Sequence, residues 1–238
     1  MVKTTDKKSK SKATKQSKKP IKSTKSKQSK AIRKSSATNI SSTSHKYNKP
    51  LSFSPKEKVA LLVVDIQSCY YSKVPPIKAA FPNLPDTVSR LLAACRRLKY
   101  PIFHIRANYN FAKSPFLAHF HKLNPKIPQE VPDISAESFA KERAGEPVVR
   151  KWNWSAFEDT ELNGLLKKAG VTTVLGCGLV TSRCVHHTMF GAFNQGYRTV
   201  LIQDCCGDRS EEKHEAELFL HGNTMYEVYD VQDVEKLK

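Results

Sequence analysis

The first 50 residues lack most of what a folded core requires. They contain no glycine, a single aromatic residue (Tyr47) and a single acidic residue (Asp6), set among 15 lysines, one arginine and 17 serines or threonines. A segment with so few apolar side chains cannot bury enough surface to offset the entropy of ordering. We therefore predict a disordered, Lys/Ser-rich basic tail over residues 1–50, followed by one folded domain over residues 51–238.

The near absence of acidic residues from the tail means that the charge of the chain is unevenly distributed. The formal net charge is +18, of which residues 1–50 carry +15 and the remaining 188 residues carry +3. A nearly neutral segment of that length can bury one sizeable core. We expect this domain to take a small molecule rather than an acidic polymer as its ligand.

The function of the basic tail has three open interpretations. It is a solvated segment without a dedicated partner, a targeting signal, or a non-specific nucleic-acid binder that neutralises phosphates. Residues 18–22, Lys-Lys-Pro-Ile-Lys, resemble a nuclear localisation signal. The Ser-rich, acid-poor composition also leaves organelle targeting open, although transit peptides favour arginine.

Long apolar runs and paired cysteines are also missing. The longest apolar run is Val59–Val64, far short of the roughly 20 residues of a membrane span, and no apolar segment near residue 1 predicts a signal peptide. The cysteines show no Cys-x-x-Cys pair, which argues against a disulfide scaffold or a zinc ribbon. We expect free thiols in a reducing intracellular compartment, cytoplasmic or nuclear. The six cysteines are Cys69, Cys95, Cys177, Cys184, Cys205 and Cys206.

Strand-like and helix-like segments alternate through the domain. Apolar runs predict strands at residues 59–64, 101–106, 147–150, 171–177, 198–203 and 225–229. Spacings of three and four predict helices at residues 87–99 (N-capped by Asp86), 159–169, 182–195 and 210–221. Residues 107–146 are predicted to form a long loop with short helical pieces. The alternation predicts a three-layer α/β/α open sheet of about six mostly parallel strands, Rossmann-like, with order 3-2-1-4-5-6.

Reactive side chains follow three of the predicted strands. Asp65 ends strand one, Lys151 ends strand three and Cys184 follows strand four, so all three lie at the edge where such sheets bind ligands. A helix starting near Ser182 and the Lys151 ammonium would favour a Cys184 thiolate, and Asp65 can act as a general base. Each residue alone is also compatible with a structural role, but together they predict a cysteine hydrolase acting on an amide or related carbonyl.

Three motifs resemble those of the isochorismatase-like family of cysteine hydrolases. They are Leu61-Leu-Val-Val-Asp65-Ile-Gln67, Lys151-Trp-Asn-Trp-Ser155-Ala156-Phe157 and Gly178-Leu-Val-Thr-Ser-Arg-Cys184-Val, and residues 196–206 resemble the fifth-strand region. The motifs occur in the family's order, and the resemblance spans residues 55–238. The tail lies outside it.

The resemblance implies a catalytic triad and an assembly. Cys184 would be the nucleophile, Asp65 the base and Lys151 the electrostatic partner. A cis peptide bond would fall at Leu179–Val180 and would direct the N–H groups of Val180 and Cys184 at the substrate oxygen. The resemblance also implies a homo-oligomer, a dimer or tetramer. The candidate pocket residues are Gln67, Trp152, Trp154, Phe157 and Ser182.

Departures from the family pattern argue against a metal site and a cofactor. Nicotinamidase members carry an Asp-x-His metal cluster after strand two, whereas residues 104–110 here contain none, so we expect neither a metal nor a nicotinamidase. His104 is interpreted as a core strand residue, and the pair His186 and His187 as surface or packing residues. Residues 176–178, Gly-Cys-Gly, lack the third glycine of a dinucleotide fingerprint, so we expect no cofactor.

A second function class is compatible with the same sequence. The domain could be a catalytically idle module of this fold whose basic tail mediates targeting or nucleic-acid contact. The state of Cys184 distinguishes the two, because we expect an activated thiol near neutral pH only in the enzyme.

Overall fold

The computed structural model describes residues 45–127 and 130–238. The predicted basic tail up to residue 44, with its possible nucleic-acid contact, lies outside the described residues. Within them no helix combines the length and the hydropathy of a membrane span.

Residues 45–50, which belong to the predicted tail, instead contact the domain. His45 Nε2 lies 2.8 Å from Glu215, and the Lys46 ammonium lies 2.8 Å from both Asp230 and Asp233. The Tyr47 amide donates a hydrogen bond to the backbone. Residues 45–50 therefore lie against the domain, because their few polar and aromatic groups find partners on it.

A six-stranded parallel sheet forms the centre of the described chain. Its strand order is β3-β2-β1-β4-β5-β6, which confirms the predicted topology. All six residues of β1 are buried, as expected for parallel strands covered on both faces. The strands are β1 Val59–Val64, β2 Ile102–Ala107, β3 Val148–Lys151, β4 Thr173–Leu179, β5 Arg198–Gly207 and β6 Glu227–Tyr229.

Seven α-helices of the described chain surround the sheet. They are α1 Pro75–Ala80, α2 Leu84–Arg97, α3 Leu117–Leu123, α4 Leu162–Lys168, α5 His186–Asn194, α6 Glu211–His221 and α7 Val231–Glu235, with a 3₁₀ turn at Ser138–Ala140 and a π-helical turn at Thr181–Val185. The strand order reverses between β1 and β4, so right-handed crossovers place helices on both faces. This reversal makes the carboxyl ends of β1 and β4 the natural ligand-binding crevice.

The start of α2 differs from the prediction. The helix begins at Leu84 with Asn83 as its N-cap, so Asp86 lies inside the first turn rather than at the cap. Pro85 fits there because the first turn has no partner for its amide groups. The short helices α1 and α7 were not predicted, since five or six residues are too few to show a helical period.

A glycine brings β4 very close to β1 at the binding edge. Gly178 has φ +135°, and a Cβ at this position would lie 1.9 Å from the carbonyl oxygen of Val64. No side chain fits at such a distance, so only glycine allows the two strand ends to meet beside Asp65. The register of the β4–β5 pairing shifts at the same place, between Gly176 and Gly178.

We expect Gly178→Ala to destabilise the protein by more than about 4 kcal/mol, because backbone atoms must move apart. Gly145→Ala is the matched control, since Gly145 also has a positive φ, +88°, but has nothing within 4 Å of the added carbon. We expect that variant to lose only about 1–2 kcal/mol. Urea unfolding measures both, and equal losses would show that the close approach of the strands is unimportant.

Candidate active site

The three strand-end residues come together at the predicted edge. Asp65 follows β1, Lys151 ends β3, and Cys184 lies in the π-helical turn after β4. The Lys151 ammonium lies 2.8 Å from Asp65 Oδ2, and both side chains are fully buried. The parallel sheet thus places a carboxylate, an ammonium and a thiol in one enclosed site.

Tyr109 joins the ammonium to the thiol, and sequence reasoning missed it. Lys151 Nζ donates to Tyr109 Oη at 2.8 Å, and the same hydroxyl lies 3.2 Å from Cys184 Sγ. Burial, together with Cys184 and Asp65, raises the pKa of Tyr109 well above its usual value, so the hydroxyl keeps its proton. The available signal was its position two residues beyond β2, at the same sheet edge as the other groups.

The lysine ammonium has three polar contacts. Besides the ion pair with Asp65 and the hydrogen bond to Tyr109, it donates to the carbonyl oxygen of Asn153 at 3.1 Å. Burial alone would lower the pKa of Lys151, but Asp65 and Cys184 raise it, and the net direction is upward. Lys151 is therefore a fixed positive charge.

The thiol is neutral, contrary to the expected thiolate. Burial raises the pKa of Cys184 to about 11, Lys151 lowers it and Asp65 raises it again. Only 6% of the residue is exposed, and desolvation penalises the anion more than the nearby positive charge favours it. Burial therefore disfavours the resting thiolate expected from the sequence, so the resting state of Cys184 does not distinguish the enzyme from the idle module. An enzyme with this thiol needs a base that takes the proton during the attack.

Asp65 is a buried carboxylate on a strained backbone. The residue has a positive φ of 50° and is fully buried. Apart from the ion pair with Lys151, its oxygens have no partner in hydrogen-bond geometry among the described residues. Buried polar atoms are rarely left in this condition without a functional reason.

The turn that carries Cys184 is held by a second carboxylate. The peptide bond Leu179–Val180 is cis, at the position that the family resemblance implies. Ser182 donates to Asp208 Oδ2 through its backbone N–H at 2.8 Å and its hydroxyl at 2.6 Å. Ser182 thus positions the turn through Asp208, a buried residue directly after β5 that sequence reasoning did not single out. An oxyanion role for the Val180 and Cys184 amides stays a prediction.

The side chain of Gln67 is hydrogen-bonded to backbone groups near the site. Its side-chain amide donates to the carbonyl oxygens of Ala107 and Asp133, and its oxygen accepts from the Ala107 amide at 2.8 Å. The residue is fully buried. These backbone contacts occupy the side chain and tie the residues after β1 to the end of β2, so they give no support for the predicted pocket role.

Aromatic side chains connect the site to the segment after β2. Trp154 packs edge-to-face on Phe116 and Phe120 at ring-centroid distances of 5.6 and 5.8 Å, and Phe116 contacts Tyr109 at 5.4 Å. Trp152 lies under the Lys113 ammonium at 4.3 Å. These contacts show what the two tryptophans pack against, and their pocket role stays a prediction.

Phe157, by contrast, packs elsewhere. Its ring lies 5.9 Å from that of Tyr197, which follows α5. It also sits beside Gly191, where an added Cβ would lie 3.0 Å from the Phe157 Cβ. Phe157 therefore holds the segment after β3 against α5, and its contacts give no support for the predicted pocket role.

Two arginines lie beside residues of the site in the sequence, since Arg183 precedes Cys184 and Arg209 follows Asp208. Arg183 lies over the rings of Phe120 and Trp154, at 5.2 and 5.4 Å, and in residues 45–127 and 130–238 no carboxylate lies within ion-pair distance of it. Burial and the charge of Arg209 lower the pKa of Arg183. Arg209 itself lies 3.7 Å from Asp208.

The histidine of β2 has a structural role. His104 is fully buried on β2, and its Nε2 lies 2.9 Å from Glu146. The interpretation of His104 as a core strand residue is confirmed.

The three residues Asp65, Lys151 and Cys184 lie at the carboxyl ends of the strands, where open parallel sheets bind ligands. Residues 59–233 match the model of the Isochorismatase domain, about three quarters of the chain. The chain therefore belongs to the isochorismatase family of hydrolases, as the motifs suggested.

Individual relatives agree with this assignment. Maleamate amidohydrolase of Pseudomonas putida is 33% identical over 175 residues, covering 68% of this chain and 78% of that protein. Nicotinamidase 3 of Arabidopsis thaliana is 31% identical over 184 residues, covering 75% and 87%. A cysteine hydrolase from Pseudomonas syringae pv. phaseolicola shares the fold, with a TM-score of 0.66, 20% identity and coverage of 79% and 99%.

The raised pKa of Cys184 predicts how its alkylation depends on pH. Only the thiolate reacts, so we expect the rate of iodoacetamide labelling to rise about ten-fold per pH unit from pH 7 and to level off near the pKa of about 11. Peptide mass spectrometry separates Cys184 from the other cysteines, and Cys184→Ser identifies its peptide. A plateau already reached near pH 7 would instead demonstrate a resting thiolate.

Proposed function

We propose that the protein is a cysteine amidohydrolase that hydrolyses a small amide or ureide carrying a carboxylate, without a metal at the reacting centre. Cys184 is the nucleophile, Asp65 the general base and acid, and Lys151 the fixed positive charge beside them. The observation that carries the proposal is the buried Asp65 carboxylate, which forms an ion pair with Lys151 and interacts with the buried Cys184 thiol.

The proton of Cys184 has a natural acceptor in this arrangement. A thiol with a pKa of about 11 is a weak nucleophile at neutral pH, so it needs a base during the attack. The Asp65 carboxylate interacts with the thiol, and apart from the ion pair with Lys151 its oxygens have no further partner in hydrogen-bond geometry among the described residues. Transfer of the proton to Asp65 as the sulfur attacks avoids a free buried thiolate.

The proposed reaction uses Cys184, Asp65 and one water, and it proceeds through a thioester. The sulfur attacks the carbonyl carbon while its proton moves to Asp65. The tetrahedral intermediate collapses, the C–N bond breaks, and Asp65 returns the proton to the leaving nitrogen. A water, deprotonated by Asp65, attacks the thioester, and the C–S bond breaks to release the acid and restore the thiol. Lys151 remains charged throughout and stabilises the negative charge as it moves among these atoms.

The charges at the site favour a substrate with a carboxylate. Lys151, Arg183 and Arg209 supply three positive charges, against the two carboxylates of Asp65 and Asp208. Guanidinium groups bind carboxylates with charge-assisted hydrogen bonds, and no carboxylate of the described chain is paired with Arg183. Maleamate, named for one relative, is an amide of this kind, which supports the proposal.

The test is an ammonia-release assay with a matched pair of substrates: a short monoamide of a dicarboxylic acid and its neutral methyl ester. We expect the wild type to prefer the acid amide, with kcat/KM at least about ten-fold higher, the effect of one lost charge contact. We expect Cys184→Ala to lower kcat at least about 10³-fold, because no nucleophile remains.

Cys69→Ser is the control, since Cys69 is a partly exposed thiol outside the proposed reaction; it should retain wild-type kcat. Unchanged hydrolysis in Cys184→Ala contradicts the cysteine mechanism. Equal rates on the two substrates contradict the carboxylate preference alone. Absence of hydrolysis across a broad panel of amides and ureides would favour the catalytically idle module.

A further inference from the structure

A second cluster of polar side chains lies between α5 and α6, apart from the triad. It consists of His186, Glu217 and His221, which we call the α5–α6 cluster. One donor atom from each residue lies within 4.8 Å of the other two. His186 Nδ1 is 2.5 Å from Glu217 Oε1, and His221 Nε2 is 4.0 Å from the same oxygen.

The local sequence explains why the three residues meet. Glu217 and His221 are four residues apart on α6, so they share one face of that helix. His186 is the first residue of α5, and its ring lies 4.5 Å from that of His221. The interpretation of the pair His186 and His187 as packing residues fits His187, whose ring contacts Trp154 at 5.0 Å, but it is incomplete for His186.

The carboxylate at the centre of the cluster is oriented by a further residue. Tyr226 Oη donates a hydrogen bond of 2.9 Å to Glu217 Oε1. Such contacts behind a ligating group fix its orientation and are typical of metal sites. The side chain of Glu217 is 8% exposed, whereas those of His186 and His221 are 16% and 35% exposed. The cluster is therefore firmly held on its inner side and open to solvent on its outer side.

The donor set matches a particular kind of ion. Two imidazole nitrogens and one carboxylate oxygen, without a thiolate, suit zinc and similar divalent transition metals. Metal–ligand bonds of about 2.0–2.1 Å in tetrahedral geometry place donor atoms roughly 3.3–3.5 Å apart. The separations of 2.5, 4.0 and at most 4.8 Å bracket that value, so small side-chain rotations suffice.

We propose that His186, Glu217 and His221 bind one Zn²⁺ ion, with the fourth position open to solvent. The ion joins the first residue of α5 to the end of α6. Because His186 lies two residues after Cys184, the bound ion holds the helix that follows the Cys184 turn. It takes no part in the proposed hydrolysis.

The test uses the full chain, stripped of metal with a chelator and titrated with Zn²⁺ in a calorimeter. We expect one saturable site per chain, and at least ten-fold weaker binding in His186→Ala and in His221→Ala. His45→Ala is the matched control, since His45 also pairs with a glutamate of α6, Glu215, at 2.8 Å, but does not belong to the α5–α6 cluster. It should bind like the wild type.

Two further readouts make the result decisive. We expect Zn²⁺ to raise the Tm of the wild type and of His45→Ala, because an ion that binds the folded state stabilises it, while the Tm of His221→Ala stays unchanged. Co²⁺ should give the absorption of a nitrogen- and oxygen-ligated ion. Absence of saturable binding, wild-type affinity in both cluster variants, or a thiolate–Co²⁺ charge-transfer band would each overturn the proposal.

Discussion

The ion pair between Lys151 and Asp65 is the interaction on which the rest of the site depends. Both side chains are fully buried, and Lys151 Nζ lies 2.8 Å from Asp65 Oδ2. Removing two such charges from water costs several kcal/mol per ion unless further contacts offset it. The lysine meets this requirement with three acceptors: Asp65, Tyr109 and the carbonyl oxygen of Asn153. The aspartate has fewer contacts, since besides the ion pair with Lys151 its side chain interacts only with the Cys184 thiol among the contacts described above. One partner is fixed and the other is ready to accept a proton.

This asymmetry gives each neighbouring residue its role. Tyr109 keeps its proton and links the ammonium to the sulfur. Asp208 fixes the turn after β4 through Ser182, and Gly178 allows that strand to approach Val64. The positive charges of Lys151, Arg183 and Arg209 then exceed the negative ones at the site. A thiol that is neutral at rest is consistent with this environment, because the proton needs to move only to Asp65 during the attack.

The fold was predictable from sequence because it depends on local patterns. A strand buried on both faces is a continuous apolar run, as in Val59–Val64, and the reactive residues follow such runs directly. Tyr109 escaped prediction because it lies in a segment without periodicity, and its role depends on distances to two other elements. The state of Cys184 escaped for a similar reason: a helix start suggests a thiolate, but burial decides the pKa, and burial depends on packing between distant segments. Gln67 shows the same limit, since only the structure reveals that backbone groups occupy its amide.

The most direct test of this account is to look for the covalent bond to Cys184. The protein is mixed with an excess of the acid amide, quenched in acid during turnover, and analysed by peptide mass spectrometry. We expect the peptide containing Cys184 to carry the mass of the acyl group as a thioester, an adduct that disappears once the substrate is exhausted. Rapid turnover with an acyl group on another residue, or hydrolysis that proceeds with Cys184 already blocked by alkylation, would contradict the central claim that this thiol is the nucleophile.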